Sequence, residues 1–501
     1  MNSWRVLGKA GIVLSLCLLT VIAAQAQVLS VLANFDGTNG SEPTYMSLVQ
    51  GRDGHLYGTT YFGGDRNAGV IFRITRTGLL TRLYSFCSEY ACFDGENPNA
   101  GLTLGDDGNL YGTTTAAGDA HGTVYRMTPQ GELTDVYKFC SQGYCPVGDD
   151  PSAPLILGSD RNFYGTTVYG GDINNCFEMG CGTVFRMSPK GNRKTVHEFE
   201  PGEGFAALGG VIEGIDGSLY GTTVGGGNTP CPDNGGCGTV FKISPSGDYA
   251  TTYNFCAEES CPDGANPMAG LLQTSDGTLY GTTEGGGLNY CLHGCGTIFS
   301  ITTDGTLATL HSFDGFDGEL PMAPLIQASD GNFYSTTFAG GAFGSGSIFR
   351  FHPADGTVET VYDFCGLGKT RMGPQNRPGT ECDDGDGPRT GLVQATNGVL
   401  YGTTTGGGTN GLGIVFALNL NLPPFVALVQ DAGKVGGVGG ILGQGFTGTT
   451  EVSLNGTPMT FQVISDTFLK AKVPPGATSG YITVTTPRRK LQSNRPFRVL
   501  P

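Results

Sequence analysis

Residues 276–287 read Asp-Gly-Thr-Leu-Tyr-Gly-Thr-Thr-Glu-Gly-Gly-Gly, and the LYGTT at their centre, residues 279–283, decides the fold. It is a short strand-forming run between an Asp-Gly turn signal and a glycine run, the flanks expected of one strand in a hairpin. Residues 269–274 (AGLLQT) precede the turn, 296–301 (GTIFSI) follow the glycines, and 306–313 (TLATLHSF) come after a second Asp-Gly turn. The unit is four short antiparallel strands with no helical period between them. It recurs: LYGTT, or its variants FYGTT and FYSTT, places a Tyr at 57, 111, 164, 220, 280, 334 and 401. Seven such copies predict an all-β chain whose residues 27–418 form a seven-bladed β-propeller.

The copies are offset in a way that predicts closure. Residues 28–35 (VLSVLANF) match the fourth strand of the unit but precede the first copy, whereas the seventh copy stops after its third strand at 413–418 (GIVFAL). The leading strand is expected to complete the seventh blade, removing two exposed edges that would otherwise pair with other chains. Residues 419–424 (NLNLPP) read as a linker. From 425 to 501 there is no LYGTT and no Cys, and short alternating strands predict an immunoglobulin-like β-sandwich.

The ends and the bulk composition bound the environment. Arg5 and Lys9 precede an apolar run at 11–24, and Ala24-Gln25-Ala26 follows as a cleavage signal, so residues 1–26 read as a secretory signal peptide. No membrane insertion is expected after its removal, and the protein is expected outside the cell, free or held at the surface. With 28 Lys and Arg against 44 Asp and Glu, the net charge of −16 excludes nucleic acid as a partner. Apart from Cys17, the cysteines fall into near-neighbour pairs: Cys87/Cys92, Cys140/Cys145, Cys176/Cys181, Cys231/Cys237, Cys256/Cys261, Cys291/Cys295 and Cys365/Cys382. Behind a signal peptide, paired cysteines read as disulfides; a zinc site needs four converging ligands, which this spacing does not supply.

Two resemblances extend this reading. The block GTVFRMSPKG at 182–191, the recurring D-G-x-x-P, and D-G-x-L-Y-G-T-T-x-G-G resemble the GloVer tandem-repeat family of secreted bacterial proteins across 28–418. That resemblance implies the architecture and no particular activity. The C-terminal segment resembles the IPT/TIG domain through Gly443-Gln444-Gly445-Phe446, the Asn455-Gly456 hairpin, Val473-Pro474-Pro475-Gly476 and Gly480-Tyr481-Ile482-Thr483-Val484. It implies a spacer, an interaction module or a carbohydrate-contacting module.

In an up-and-down four-stranded blade, the second-to-third loop and the crossover to the next blade share one end. Every cysteine pair falls in those two loop classes, so that face, with the longer loops, is the expected ligand surface. Its crossovers carry Asp36, Asp94, Asp149, Asp263, Asp317 and Asp386, and the crossover with Glu203 departs from the pattern. Leading into innermost strands, these carboxylates would ring the channel mouth and attract a cation such as Ca²⁺ or a basic ligand. The competing and preferred reading is Asp-Gly turn chemistry, in which each Asp bonds its own backbone. No cofactor is required. The repeated Tyr reads as packing between blades.

No linear catalytic motif is present, neither G-x-S-x-G nor H-E-x-x-H. His55, His121, His197, His293, His311 and His352 read as non-equivalent repeat positions. The expected function is therefore binding, adhesion or envelope structure, with an extracellular glycan or protein as partner. The alternative is an extracellular glycan-active hydrolase or lyase, whose dispersed carboxylates near the channel would leave no linear signature.

Overall fold

The computed structural model describes residues 28–501 apart from 46, 119, 141–144, 173, 175, 177, 228–235, 288–290, 292–293, 368 and 373–377. The expected signal peptide at 1–26, Cys231 and His293 lie outside the described residues. Among the described residues the chain forms seven four-stranded antiparallel sheets in succession, a propeller-like arrangement. The first is built from Val49–Gln50, Leu56–Thr60, Val70–Ile74 and Leu80–Ser85, and the next five repeat that order. In the seventh, Val28–Asn34 pairs antiparallel with Ile414–Asn419 and supplies the fourth strand.

Each letter of LYGTT has a physical task. The strand lies second in its sheet, hydrogen-bonded on both sides and packed on both faces, so in most copies all five residues are buried. The Tyr hydroxyl donates to the Asp of the preceding turn, as in Tyr57 to Asp53 at 2.7 Å and Tyr334 to Asp330 at 2.8 Å. That same Asp accepts a backbone N–H two residues on, for example His55 to Asp53, so one carboxylate holds both the turn and the ring. Gly281 leaves room for an aromatic: a Cβ there would lie 2.5 Å from the Phe299 ring on the third strand. The first Thr ties a sheet to the next, as Thr222 Oγ1 donates to Ala269 O at 3.1 Å. The second Thr hydrogen-bonds the third strand, as in Thr283 to Thr297 at 2.8 Å.

The aromatic admitted by that glycine meets a Phe from the sheet before. The pairs Phe86 and Tyr125, Phe139 and Phe185, Phe199 and Phe241, Phe255 and Phe299, and Phe313 and Phe349 have ring centroids 5.1–5.4 Å apart, mostly edge to face. The same contact joins the sixth sheet to the seventh through Phe364 and Phe416, and the seventh to the first through Phe35 and Phe72. Gln50 and Thr396 add two hydrogen bonds between the innermost strands of the first and seventh sheets.

The C-terminal residues form two further four-stranded sheets around a shared core of Val426, Ile441, Phe446, Val452, Leu454, Leu469, Ile482, Val484, Leu491 and Phe497. Ala432–Lys434 and Arg498–Leu500 add a parallel pair. This unit carries eight Lys and Arg against three Asp and Glu within 425–501, a positive unit in an acidic chain. It sits directly on the first-to-second-strand turns of the repeats. Thr467 Oγ1 donates to Arg52 O at 2.6 Å, Gln430 Nε2 to Gly158 O at 3.0 Å, and Arg498 Nη1 to Gly214 O at 2.8 Å. Arg52 stacks on Phe468, 4.4 Å from the ring centroid, and Leu442 and Phe468 join the core of the first two sheets. Residues 419–424, expected as a linker, are drawn into this packing: Ser329 Oγ donates to Pro423 O, and the next residue, Phe425, is buried with its N–H on Thr396 O.

Candidate functional site at the disulfide-stapled face

Because the sandwich occupies the turn end, the loop end of the sheets is the free one. There, seven isolated bridges pair each crossover with the residues just past a second strand, such as Glu96 with Ala116 and Asp386 with Gly406. Both loop classes are therefore on one face, and the described disulfides belong to it: Cys87 with Cys92, Cys140 with Cys145, Cys176 with Cys181, Cys256 with Cys261, Cys291 with Cys295 and Cys365 with Cys382. Cys237 is also disulfide-bonded, and its expected partner Cys231 lies outside the described residues.

The expected carboxylate ring does not form among the described residues. Asp94 accepts the hydroxyl of Tyr84 at 2.7 Å and the Ser88 N–H at 2.8 Å; Asp263 accepts from Tyr253 at 2.9 Å; Asp317 lies 2.7 Å from His311 Nε2. Tyr84, Tyr253 and His311 are on fourth strands, at the sheet edge farthest from the first strand, so these three carboxylates are held at that edge. Asp36 caps a turn through Thr38 and Asn39, Asp149 pairs with His121 at 2.8 Å, and Asp386 contributes backbone bonds to Gly406. No three of these carboxylates bring oxygens within 4.8 Å of one another among the described residues. The six positions also mix three registers: Asp36 lies five residues before its bridge, Asp94, Asp263 and Asp317 two before, and Asp149 and Asp386 at the bridge itself. Counting two residues back from the bridge gives a carboxylate in five of the seven crossovers, Asp94, Glu203, Asp263, Asp317 and Asp384, and Asn39 and Val147 in the other two. Thus Glu203, read as a departure, is in register and lies 2.8 Å from His197, while Asp384 accepts from Tyr362 at 2.6 Å.

The six histidines are not all at non-equivalent repeat positions. His197 and His311 occupy the same repeat position, the one held by Tyr84, Tyr253 and Tyr362, each opposite an aliphatic residue of the third strand. Five crossovers therefore share one latch: a ring donor on the fourth strand holds a carboxylate, which in turn holds the loop. Burial pushes the Asp94 carboxyl up, but the hydroxyls of Tyr84 and Ser88 and two backbone amides outweigh it and hold it below the ordinary range. The same balance, with His311 and Asp314 as partners, lowers Asp317.

The inner edge of this face holds a different group that linear reading missed. Glu284 follows the second strand of the fifth sheet, Phe338 that of the sixth, while Arg389 and Tyr45 precede the innermost strands of the seventh and first. The Arg389 guanidinium lies 4.1 Å over the Phe338 ring and 5.8 Å from the Tyr45 ring. Burial raises the Glu284 carboxyl, opposed by the charge of Arg389; burial likewise raises Tyr45, with Arg389 lowering and Glu284 raising it. The group draws on the fifth, sixth, seventh and first sheets. Close by, Thr44 hydrogen-bonds Asn99 at 3.0 Å. A cation seated over an aromatic ring, with a half-buried carboxyl whose pKa burial raises, is a candidate for holding a polar ligand. The only signal in the sequence was breakage of the repeat, since the residue after LYGTT is charged in one copy alone: Tyr61, Thr115, Val168, Val224, Glu284, Phe338 and Thr405.

Comparison with known proteins agrees with the repeat reading. Residues 18–229, 121–258 and 175–378 match the family model described as the Gloeobacter/Verrucomicrobia repeat. Curated protein sequences yield no match. Among solved structures, a fungal alcohol oxidase of the AA5 family, in complex with copper, aligns at a TM-score of 0.50 and 12% identity, covering 95% of this chain and 99% of its own. The extracellular domain of a hybrid two-component system from B. thetaiotaomicron aligns at 0.48 and 13%, covering 93% of this chain and 54% of its own. Identities this low speak of fold alone.

Proposed function

This chain belongs to the Gloeobacter/Verrucomicrobia repeat family, and from that premise we propose that it is a secreted binding protein that engages an extracellular glycan or protein through its disulfide-stapled face. In this reading the seven sheets close into a propeller ring completed by the N-terminal strand, which the unbroken cycle of aromatic pairs supports. The C-terminal unit is an IPT/TIG-like sandwich that stoppers the turn face, leaving the loop face for ligands. The described disulfides fit an oxidising compartment, and no helix among the described residues is long and apolar enough to cross a membrane.

The observation that carries the reading is the Arg389, Phe338, Tyr45 and Glu284 group at the inner edge of the free face. Partly buried, converging from separate sheets and served by a rigid scaffold, it has the form of a ligand anchor. A glycan array probed with the mature chain, with Arg389→Ala and with Phe338→Ala is the direct test. Binding lost in both variants at unchanged melting temperature is the expected result; a blank array leaves an envelope-structural role in its place. Glu284 favours the second reading, a glycan-active hydrolase or lyase, because a carboxyl raised by burial is suited to general acid work. Turnover of a polysaccharide that Glu284→Gln abolishes without loss of stability would establish it and displace the binding reading.

A further inference from the structure

We propose that the cleft between the C-terminal sandwich and the fourth, fifth and sixth sheets is a second binding site, one that takes a carboxylated oligosaccharide. It is a cavity of about 620 Å³, within the range of roughly 300–1,000 Å³ that holds small ligands. It lies at the turn end, away from the loop face, and does not rest on the channel-mouth reading.

Its floor is rigid. Arg498 donates to Gly214 O at 2.8 Å and lies 3.6 Å from Glu213 and 3.7 Å from Asp431. Glu213 in turn accepts the Ser159 N–H and hydroxyl at 2.6 and 2.5 Å. These charges are spent on one another and fix the wall. Lys490 and Arg495 line the same cavity, are exposed, and have no ion-pair partner among the described residues. In a chain of net charge −16, two uncompensated cations beside a cleft select an anion.

The remaining lining chooses the kind of anion. Ser275 and Asn494 present a hydroxyl and an amide, Gln273 and Gln327 are held against their own turns by bonds to Gly277 O and Gly331 O, and Tyr481, 42% exposed, supplies an aromatic ring. Amides that match hydroxyls, with an aromatic plane for the C–H face of a pyranose, are the chemistry of sugar recognition. Because Glu213 and Asp431 share the wall, the field is only mildly positive. It suits singly charged carboxylates spaced along a sugar chain better than a phosphate dianion.

Calorimetric titration of the mature chain with an oligogalacturonate tetramer and with the uncharged galactose tetramer tests this. The charged oligomer is expected to bind and the neutral one not to. Tyr481→Ala, and Lys490→Ala with Arg495→Ala, should each weaken binding about tenfold or more, at unchanged melting temperature because all three side chains are exposed. Raised salt should weaken it too, and Arg389→Ala at the channel mouth should leave it unchanged. Absence of binding, equal affinity for the neutral tetramer, or a loss caused by Arg389→Ala and not by Tyr481→Ala overturns the proposal.

Discussion

At the residue scale, the repeat persists because each of its side chains answers a local demand. Gly281 is the clearest case: a Cβ would meet the Phe299 ring at 2.5 Å. Gly281→Val should therefore cost about 1–3 kcal/mol through overpacking, read as a lower denaturation midpoint at unchanged slope. In the sixth sheet the position is Ser335, whose hydroxyl finds Ala323 O and Pro324 O, so a small polar side chain is tolerated where it gains bonds. The latch carboxylates respond to acid. Asp94 and Asp317 are lowered in the folded chain, so the stability they contribute is fully present above their unfolded pKa, about 3.9, and is lost as pH falls through the folded value. Proteolytic nicking of the Cys87/Cys92 loop and of the Asp317 crossover should rise below about pH 4, and Asp94→Asn should carry that susceptibility at neutral pH.

At the scale of elements, Val28–Asn34 is the segment whose removal should matter most. Without it Ile414–Asn419 becomes an open edge, and with Phe35 removed as well Phe72 loses its ring partner. A chain beginning after residue 36 should oligomerise or aggregate on size exclusion and unfold at lower temperature. The disulfides act differently. Each short ring contributes about 2 kcal/mol at most in the chain-entropy model, and none crosses between strands of the core. Reduction should lower the main thermal transition without abolishing it, while the loop face becomes sensitive to protease. The LYGTT spacing made these elements legible, since an Asp-Gly turn, a five-residue strand and a glycine run are local signals. The latch was only half legible. A fourth-strand Tyr or His and its carboxylate are separated by loops of unequal length, so counting along the chain mixed Asp36, Asp149 and Asp386 with Asp94, Asp263 and Asp317, set Glu203 apart as a departure and passed over Asp384.

At the scale of the whole molecule, the seat of the sandwich decides which end of the propeller-like body is open. Eight basic against three acidic residues in 425–501 complement the acidic repeats, and Arg498 is the residue most committed to the contact. Arg498→Ala leaves Glu213 without its cation and should cost about 2 kcal/mol, seen as separation of one calorimetric transition into two and faster cleavage at 419–424. The amino-acid sequence by itself determined the strand unit, its sevenfold recurrence, the offset of the leading strand and the pairing of cysteines, because all of these are written in neighbouring residues and fixed spacings. Only the tertiary structure decided that the sandwich covers the turn end, that five crossover carboxylates are held by fourth-strand Tyr or His side chains, and that Arg389 lies over Phe338 within the electrostatic reach of Tyr45 and Glu284. Those facts depend on contacts between sheets far apart in the chain, and no local pattern encodes such contacts.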